Sequence, residues 1–164
     1  MFILLVGPRG SGKSHIGLVL ERHLGVRFLQ VEPLWMAYLS ECRETGRLPV
    51  IPEGIAKVHP EIRLALLEHG RLSVETTAAS QEILEGLMKL RPREKTIVAR
   101  ITAPEELCQQ RAEAKEPNPQ FQMDAETIHN VNAMSKAAWV HADLELHNDD
   151  LSDEAIVAAF RPHL

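Results

Sequence analysis

Residues Gly7-Pro8-Arg9-Gly10-Ser11-Gly12-Lys13-Ser14 match G-x-x-x-x-G-K-[ST], the Walker A pattern, at every fixed position. Each residue type has a chemical reason to be there. Glycines let backbone N–H groups turn inward as an anion-binding nest. The helix expected to follow adds its unsatisfied amides and the positive end of its dipole, toward a β-phosphate. Lys13 is placed to reach β- and γ-phosphates, and the Ser14 hydroxyl is of the type that ligates Mg²⁺. The run Gly7–His15 is therefore expected to hold a nucleoside triphosphate with magnesium. The fate of the γ-phosphate is not written in the motif.

Such a loop works only between a buried strand and an amphipathic helix, and both flanks are present. Phe2–Val6 is a continuous apolar run, the mark of a central strand covered on both faces. After the loop, Ile16, Val19, Leu20 and Leu24 recur at helical spacing, and Gly25 is a suitable residue to end that helix. Further strands are expected over 26–31, 71–75, 96–101 and 143–147. Further helices are expected over 34–45, 60–69, 80–90, 104–115, 125–140 and 152–160, with Ser80 as an N-cap and Pro104 opening its helix. Residues 116–124 are polar, carry two prolines and are expected to be a mobile loop. Alternation of short apolar strands with helices is the pattern of a parallel-sheet α/β domain.

The chain of 164 residues is about one domain's worth, and its apolar share of 45% and charged share of 25% are ordinary for a globular protein. A formal net charge of −5 disfavours a nucleic-acid-coating role, because such binding rests on basic surface. Cys42 and Cys108 have neither metal-ligand nor redox spacing, so a reducing cytoplasm is expected. Met1–Val6 is too short to span a bilayer and lacks the basic start of a leader. No membrane partner is expected. The expectation is a single domain over 1–164, monomeric or homodimeric.

The strand–loop–helix start, and more loosely the spacing of elements along nearly the whole chain, resembles the P-loop kinases of small molecules and nucleotides, the group of adenylate, shikimate and gluconate kinases. The resemblance implies a three-layer P-loop NTPase fold with a five-stranded parallel sheet flanked by helices. It implies an acceptor-binding region at about 33–70, a lid at about 112–124, and a nucleobase-contacting loop after the fifth strand, where Asn148 falls. It also implies ATP and Mg²⁺ as the bound cofactors and a small-molecule acceptor as the other partner.

The same resemblance points to further site residues. Phe28-Leu29-Gln30-Val31-Glu32 lies where shikimate kinases carry F-x-D-x-D, so Glu32 becomes a candidate to take an acceptor proton or help hold magnesium; a solvated charge at a strand end fits equally. Glu75 ends strand three, where ligands gather outside carboxyl ends of parallel strands, and is the candidate to order magnesium-bound water. Thr76 and Thr77 would bond substrate or, more simply, cap the turn. Arg111 is the candidate to neutralise charge on the transferred phosphoryl group. The 116–124 segment has no basic residue, unlike lids of the group, and Lys115 is the nearest substitute. Arg43, Arg47, Lys57 and Arg63 lie in the acceptor region; convergence of two or more would mean an anionic acceptor, and scattered surface charge is the alternative. Trp35 and Tyr38 would line that pocket or pack in the core.

Two functions follow. One is an ATP-dependent kinase acting on a nucleoside, nucleotide or sugar-like metabolite. The other is a nucleotide-binding switch or regulatory module with slow hydrolysis. The chain lacks an Asn-Lys-x-Asp guanine motif and an Asp-Glu pair ending strand three, which weighs against the second.

Overall fold

The computed structural model of the chain describes residues 1–89, 95–114, 124–138 and 140–164. Every residue of β1 (Phe2–Val6) is buried, as its unbroken apolar run requires of a strand covered on both sides. Period-two alternation sends Phe2, Leu4 and Val6 to one face and Ile3 and Leu5 to the other. Around it the sheet runs β2-β3-β1-β4-β5, with β2 (Arg27–Leu29), β3 (Leu72–Thr76), β4 (Thr96–Thr102) and β5 (Leu144–His147). Every pairing is parallel. The five-stranded parallel sheet flanked by helices is the fold class the sequence predicts.

The two faces carry separate cores. On the first, Phe2, Leu4, Leu72, Val74 and Val98 meet Val58 and Ile62 of α3 (Ile51–His69) and Leu84 and Leu87 of α4 (Gln81–Lys89). On the second, Ile3, Leu5 and Ile97 meet Ile16, Val19 and Leu20 of α1 (Lys13–Leu24). The same core takes Ile156 and Phe160 of α7 (Asp153–Phe160). Strand, loop and helix therefore turn over one side of the sheet, while α2 (Glu32–Glu44) and α3 cover the other beside β2. The remaining helices, α5 (Glu105–Ala114) and α6 (Ala125–Ala137), pack on each other.

Most expected elements are found within a few residues, with two informative differences. Helix α3 starts at Ile51, where sequence reading expects a loop through Gly54 and a start at Pro60. Pro60 lies inside the helix, where it removes one backbone hydrogen bond and crowds the previous turn at a cost of about 3 kcal/mol. Burial of Val58 and Ile62 on the sheet, at helical spacing across that proline, outweighs the cost. Strand β2 is only three residues long, and α2 begins at Glu32 rather than 34, so Glu32 occupies a helix first turn that favours an acidic side chain. Of the expected lid, residues 115–123, Lys115 among them, lie outside the described residues.

Helix α1 sits unusually close to β2: a Cβ added at Gly17 would lie 2.4 Å from Cδ2 of the Phe28 ring. Phe28 is 5% exposed and has no room to swing away. Gly17→Val should lower unfolding free energy by about 1–3 kcal/mol in urea titrations. Adding Phe28→Leu should recover part of that loss; equal stability of Gly17→Val and the parent would refute the close packing.

Candidate active site

Two left-handed glycines shape the loop between β1 and α1. Gly10 has φ 80° and Gly12 φ 92°, conformations that L side chains avoid. Space is as restrictive as torsion: a Cβ at Gly10 would lie 1.9 Å from the Cys108 carbonyl oxygen, and one at Gly12 would lie 2.0 Å from the Asn148 amide nitrogen. The amide of Gly7 donates to Thr76 O at 3.2 Å, anchoring the loop's start to the end of β3. The amides of Gly10, Gly12, Lys13 and Ser14 find no acceptor among the described residues. They are a ring of free donors at the positive end of α1, the requirement for gripping an anion.

Lys13 is 6% exposed, and its ammonium donates to Pro8 O at 2.8 Å. Burial lowers its pKa to about 8 from the usual 10.5, against the opposing field of Glu75. Next to it, Ser14 Oγ donates to both Glu75 carboxylate oxygens, at 3.0 and 2.9 Å. The β1–β3 register explains this meeting: Val6 pairs with Thr76, so Glu75 sits at the strand end beside the loop's departure. Hydroxyl and carboxylate are hard oxygen donors of the type that Mg²⁺ takes. Among the described residues no three His, Cys, Asp or Glu side chains converge to hold a metal by themselves. Mg²⁺ commonly uses one or two protein ligands and completes its shell from phosphates and water, so this donor set fits it.

The loop is clamped from three sides. Asn148, 5% exposed, donates from its side-chain amide to Ser11 O at 2.8 Å. Arg111 on α5 in turn donates to Asn148 O at 2.9 Å and Asp149 O at 2.7 Å. Asn132 of α6 accepts from the Arg9 amide at 2.7 Å and donates to Arg9 O at 3.3 Å. Arg9 reaches across the loop mouth to Glu32, Nη1 to Oε1, at 3.0 Å. His15 turns elsewhere: its ring lies 3.3 Å from Asp153 on α7. Thr76 and Thr77 hydroxyls accept from amides two residues on, Ala78 at 3.1 Å and Ala79 at 3.4 Å. These bonds cap the turn in which Ala78 is held at φ 51°.

This polar end opens into a cavity of about 710 Å³, bordered by Arg9, Lys13, Ser14, Glu32, Glu75 and Arg111. Its other wall is made of carbon. Helix α2 presents Glu32, Trp35, Met36 and Leu39 at i, i+3, i+4 and i+7, α3 adds Ile55 and Val58, and α4 adds Ile83 and Leu87. Trp35 borders the cavity, its ring accommodated by the missing side chain of Gly54. Tyr38 does not border it; its buried hydroxyl donates to Val50 O at 3.0 Å and accepts from the Val50 amide at 2.7 Å. Arg43, Arg47, Lys57 and Arg63 do not border it either. Arg47 pairs with Glu53 at 2.6 Å and Lys57 with Glu41 at 2.7 Å, on the exposed side. The convergence of bases that would mark an anionic acceptor is thus absent among the described residues.

Sequence reading misses Asn132 and Cys108, whose service to the loop crosses more than ninety residues and leaves no local pattern. The apolar wall does carry a signal, the helical stripe on α2, but the same stripe also describes a helix packed in a core.

Sequence comparison is silent: no protein-family model matches the chain, and no curated protein matches it. Solved structures share its fold. Shikimate kinase from Aquifex aeolicus, 21% identical, superposes with a TM-score of 0.60 over 99% of this chain and 95% of that one. A gluconokinase from Sinorhizobium meliloti, 15% identical, gives 0.61 over 96% and 87%. A sugar kinase from a Janibacter species, 16% identical, gives 0.65 over 96% and 90%. At these identities the likeness is one of fold, and the fold is the one the resemblance in the sequence implies. Among the described residues no helix is long and apolar enough to cross a membrane.

The buried ammonium can be observed directly. The ¹³Cε resonance of Lys13, assigned by its loss in Lys13→Arg, should titrate at about 8. Glu75→Gln should move that midpoint lower, because the carboxylate favours the charged form. A midpoint at the ordinary 10.5 would contradict the burial described.

Proposed function

We propose that this protein is an ATP-dependent phosphotransferase that moves the γ-phosphate of ATP to a hydroxyl of a small molecule. The observation carrying the reading is the continuity of the site: free loop amides, Lys13 and the Ser14–Glu75 pair open without a barrier into a cavity large enough for a second substrate. The structural neighbours named as kinases support it through their fold.

In the reaction, the acceptor oxygen attacks the γ-phosphorus, the bond from γ-phosphorus to the β–γ bridging oxygen breaks, and ADP departs. The acceptor's proton passes to a base at the cavity mouth. Glu32 is the candidate, held toward the loop by Arg9 through a half-exposed ion pair that is weak enough to yield to substrate. The amides of Gly10, Gly12, Lys13 and Ser14, within the loop Gly7–His15, and the Lys13 ammonium hold the β- and γ-phosphates. Ser14 and Glu75 are the residues that would hold Mg²⁺, whose chemistry is to offset negative charge on the phosphates. Arg111 borders the same space and is placed to meet charge developing on the transferred group. Asn148, besides any contact with the base, keeps the loop in shape from behind.

The experiment is a screen for ADP release with Mg²⁺ and ATP, run with candidate acceptors beside a blank without acceptor. Stimulation by an acceptor is expected; a slow signal identical in the blank would return the nucleotide-switch reading. Lys13→Met should reduce turnover by about 10²–10³-fold or more. It should also raise thermal stability, because the native fold disfavours the charged ammonium. Unchanged turnover would remove Lys13 from the reaction. ATP affinity should weaken as pH rises through about 8, since the free enzyme then loses the proton that the complex needs. The slope should not exceed about tenfold per pH unit.

A further inference from the structure

We infer that the acceptor is a neutral alcohol on a hydrocarbon-rich skeleton, with its single reacting hydroxyl at the Glu32–Arg9 end of the cavity. The inference rests on the phosphotransferase reading and narrows its second substrate. It comes from a division of the cavity into two chemical halves. Among the described residues the cations bordering it are Arg9, Lys13 and Arg111, which belong to the loop or to α5. Each already has a partner: the Glu32 carboxylate, the Pro8 carbonyl, and the Asn148 and Asp149 carbonyls.

Away from that end the wall changes character abruptly. Trp35, Met36 and Leu39 on α2 face Ile55 on α3 and Ile83 on α4, all half-buried because one side of each borders the cavity. Val58 and Leu87 close the floor. A carboxylate or phosphate on an acceptor lying here would be stripped of water with no basic side chain to receive it among the described residues. A polyol fares little better. Each hydroxyl it buries needs a partner, and among the described residues the side chains of this wall are hydrocarbon apart from the Met36 thioether and the Trp35 indole, while Glu32 and Arg9 stand at the loop end. One hydroxyl can be served at the loop mouth; four or five cannot.

An apolar skeleton meets what is there. Trp35 supplies a flat ring face, Met36 an adaptable thioether, and the branched residues a surface whose burial against carbon is favourable. Of the four bases of the acceptor region, Arg47 and Lys57 are spent on surface pairs with Glu53 and Glu41, and none of the four borders this wall.

The test separates binding from transfer. With Mg²⁺ and a β,γ-imido analogue of ATP present, calorimetry would titrate 1-hexanol, 1-octanol and 3-phenyl-1-propanol against glucose, gluconate, uridine and uridine monophosphate. The alcohols should bind with a negative heat-capacity change, tightening about fourfold per added methylene from hexanol to octanol. Leu39→Asn and Met36→Gln should each weaken alcohol binding about tenfold, and each variant's affinity for the analogue reports whether it has folded. No alcohol binding, or tighter binding of gluconate or the nucleotide, overturns the inference. ATP then replaces the analogue. ADP release stimulated by the alcohols that bind supports both readings. Stimulation by gluconate or uridine monophosphate alone overturns this inference and leaves the phosphotransferase standing. Alcohol binding without stimulated ADP release overturns the phosphotransferase and leaves the chemistry of the pocket intact.

Discussion

A lysine ammonium kept almost wholly out of water is the constraint around which the rest of the site is arranged. Burial of Lys13 disfavours its charge, and the native structure tolerates it through one carbonyl bond and the field of Glu75. To bring that ammonium and four amides that have no acceptor among the described residues to one point, the backbone must turn left-handed at Gly10 and Gly12. To keep the turn in place, Asn148, Asn132 and the Cys108 carbonyl press on it from three separate elements. The desolvated cation is a cost to the folded chain, which an anion beside it would offset.

The parallel sheet makes that arrangement possible. All strands end on the same edge, so the loop after β1, Glu75 at the end of β3 and Asn148 just after β5 arrive together from distant parts of the chain. The same edge borders the helices that follow β2 and β3, which wall the second half of the cavity. One end of the cavity is thus built from loop backbone and charge, the other from helix faces and hydrocarbon. On the phosphotransferase reading, the two substrates would meet where the two halves join, beside Glu32.

Legibility in the sequence varied with how local the cause was. The unbroken run Phe2–Val6, the glycine pattern after it and the Ile16–Leu24 periodicity state strand, loop and helix outright, because each is a property of neighbouring residues. The start of α3 was hidden, because Gly54 and Pro60 argue locally against a long helix while the burial of Val58 and Ile62 argues for it only once the sheet is in place. The Ser80 cap is a short-range hydrogen bond from an amide three residues on, and it was readable for that reason; Ser152 caps α7 in the same way.

By itself, then, the sequence determined that a glycine-rich loop of Walker A pattern joins a buried strand to an amphipathic helix in an α/β domain, and its resemblance to small-molecule kinases singled out Glu32, Glu75 and Arg111 as charged residues to look for beside it. Only the tertiary structure decided what the apolar stripes are for. Periodicity states which side chains share a helix face; whether that face meets another element or an open space depends on packing between distant segments. Trp35, Met36 and Leu39 repeat as core residues do, yet border a cavity. Arg47 and Lys57 lie in the acceptor segment by position, yet spend their charge on the far side of it. Direction in space is fixed by contacts across the fold, and for that reason no local pattern announces it.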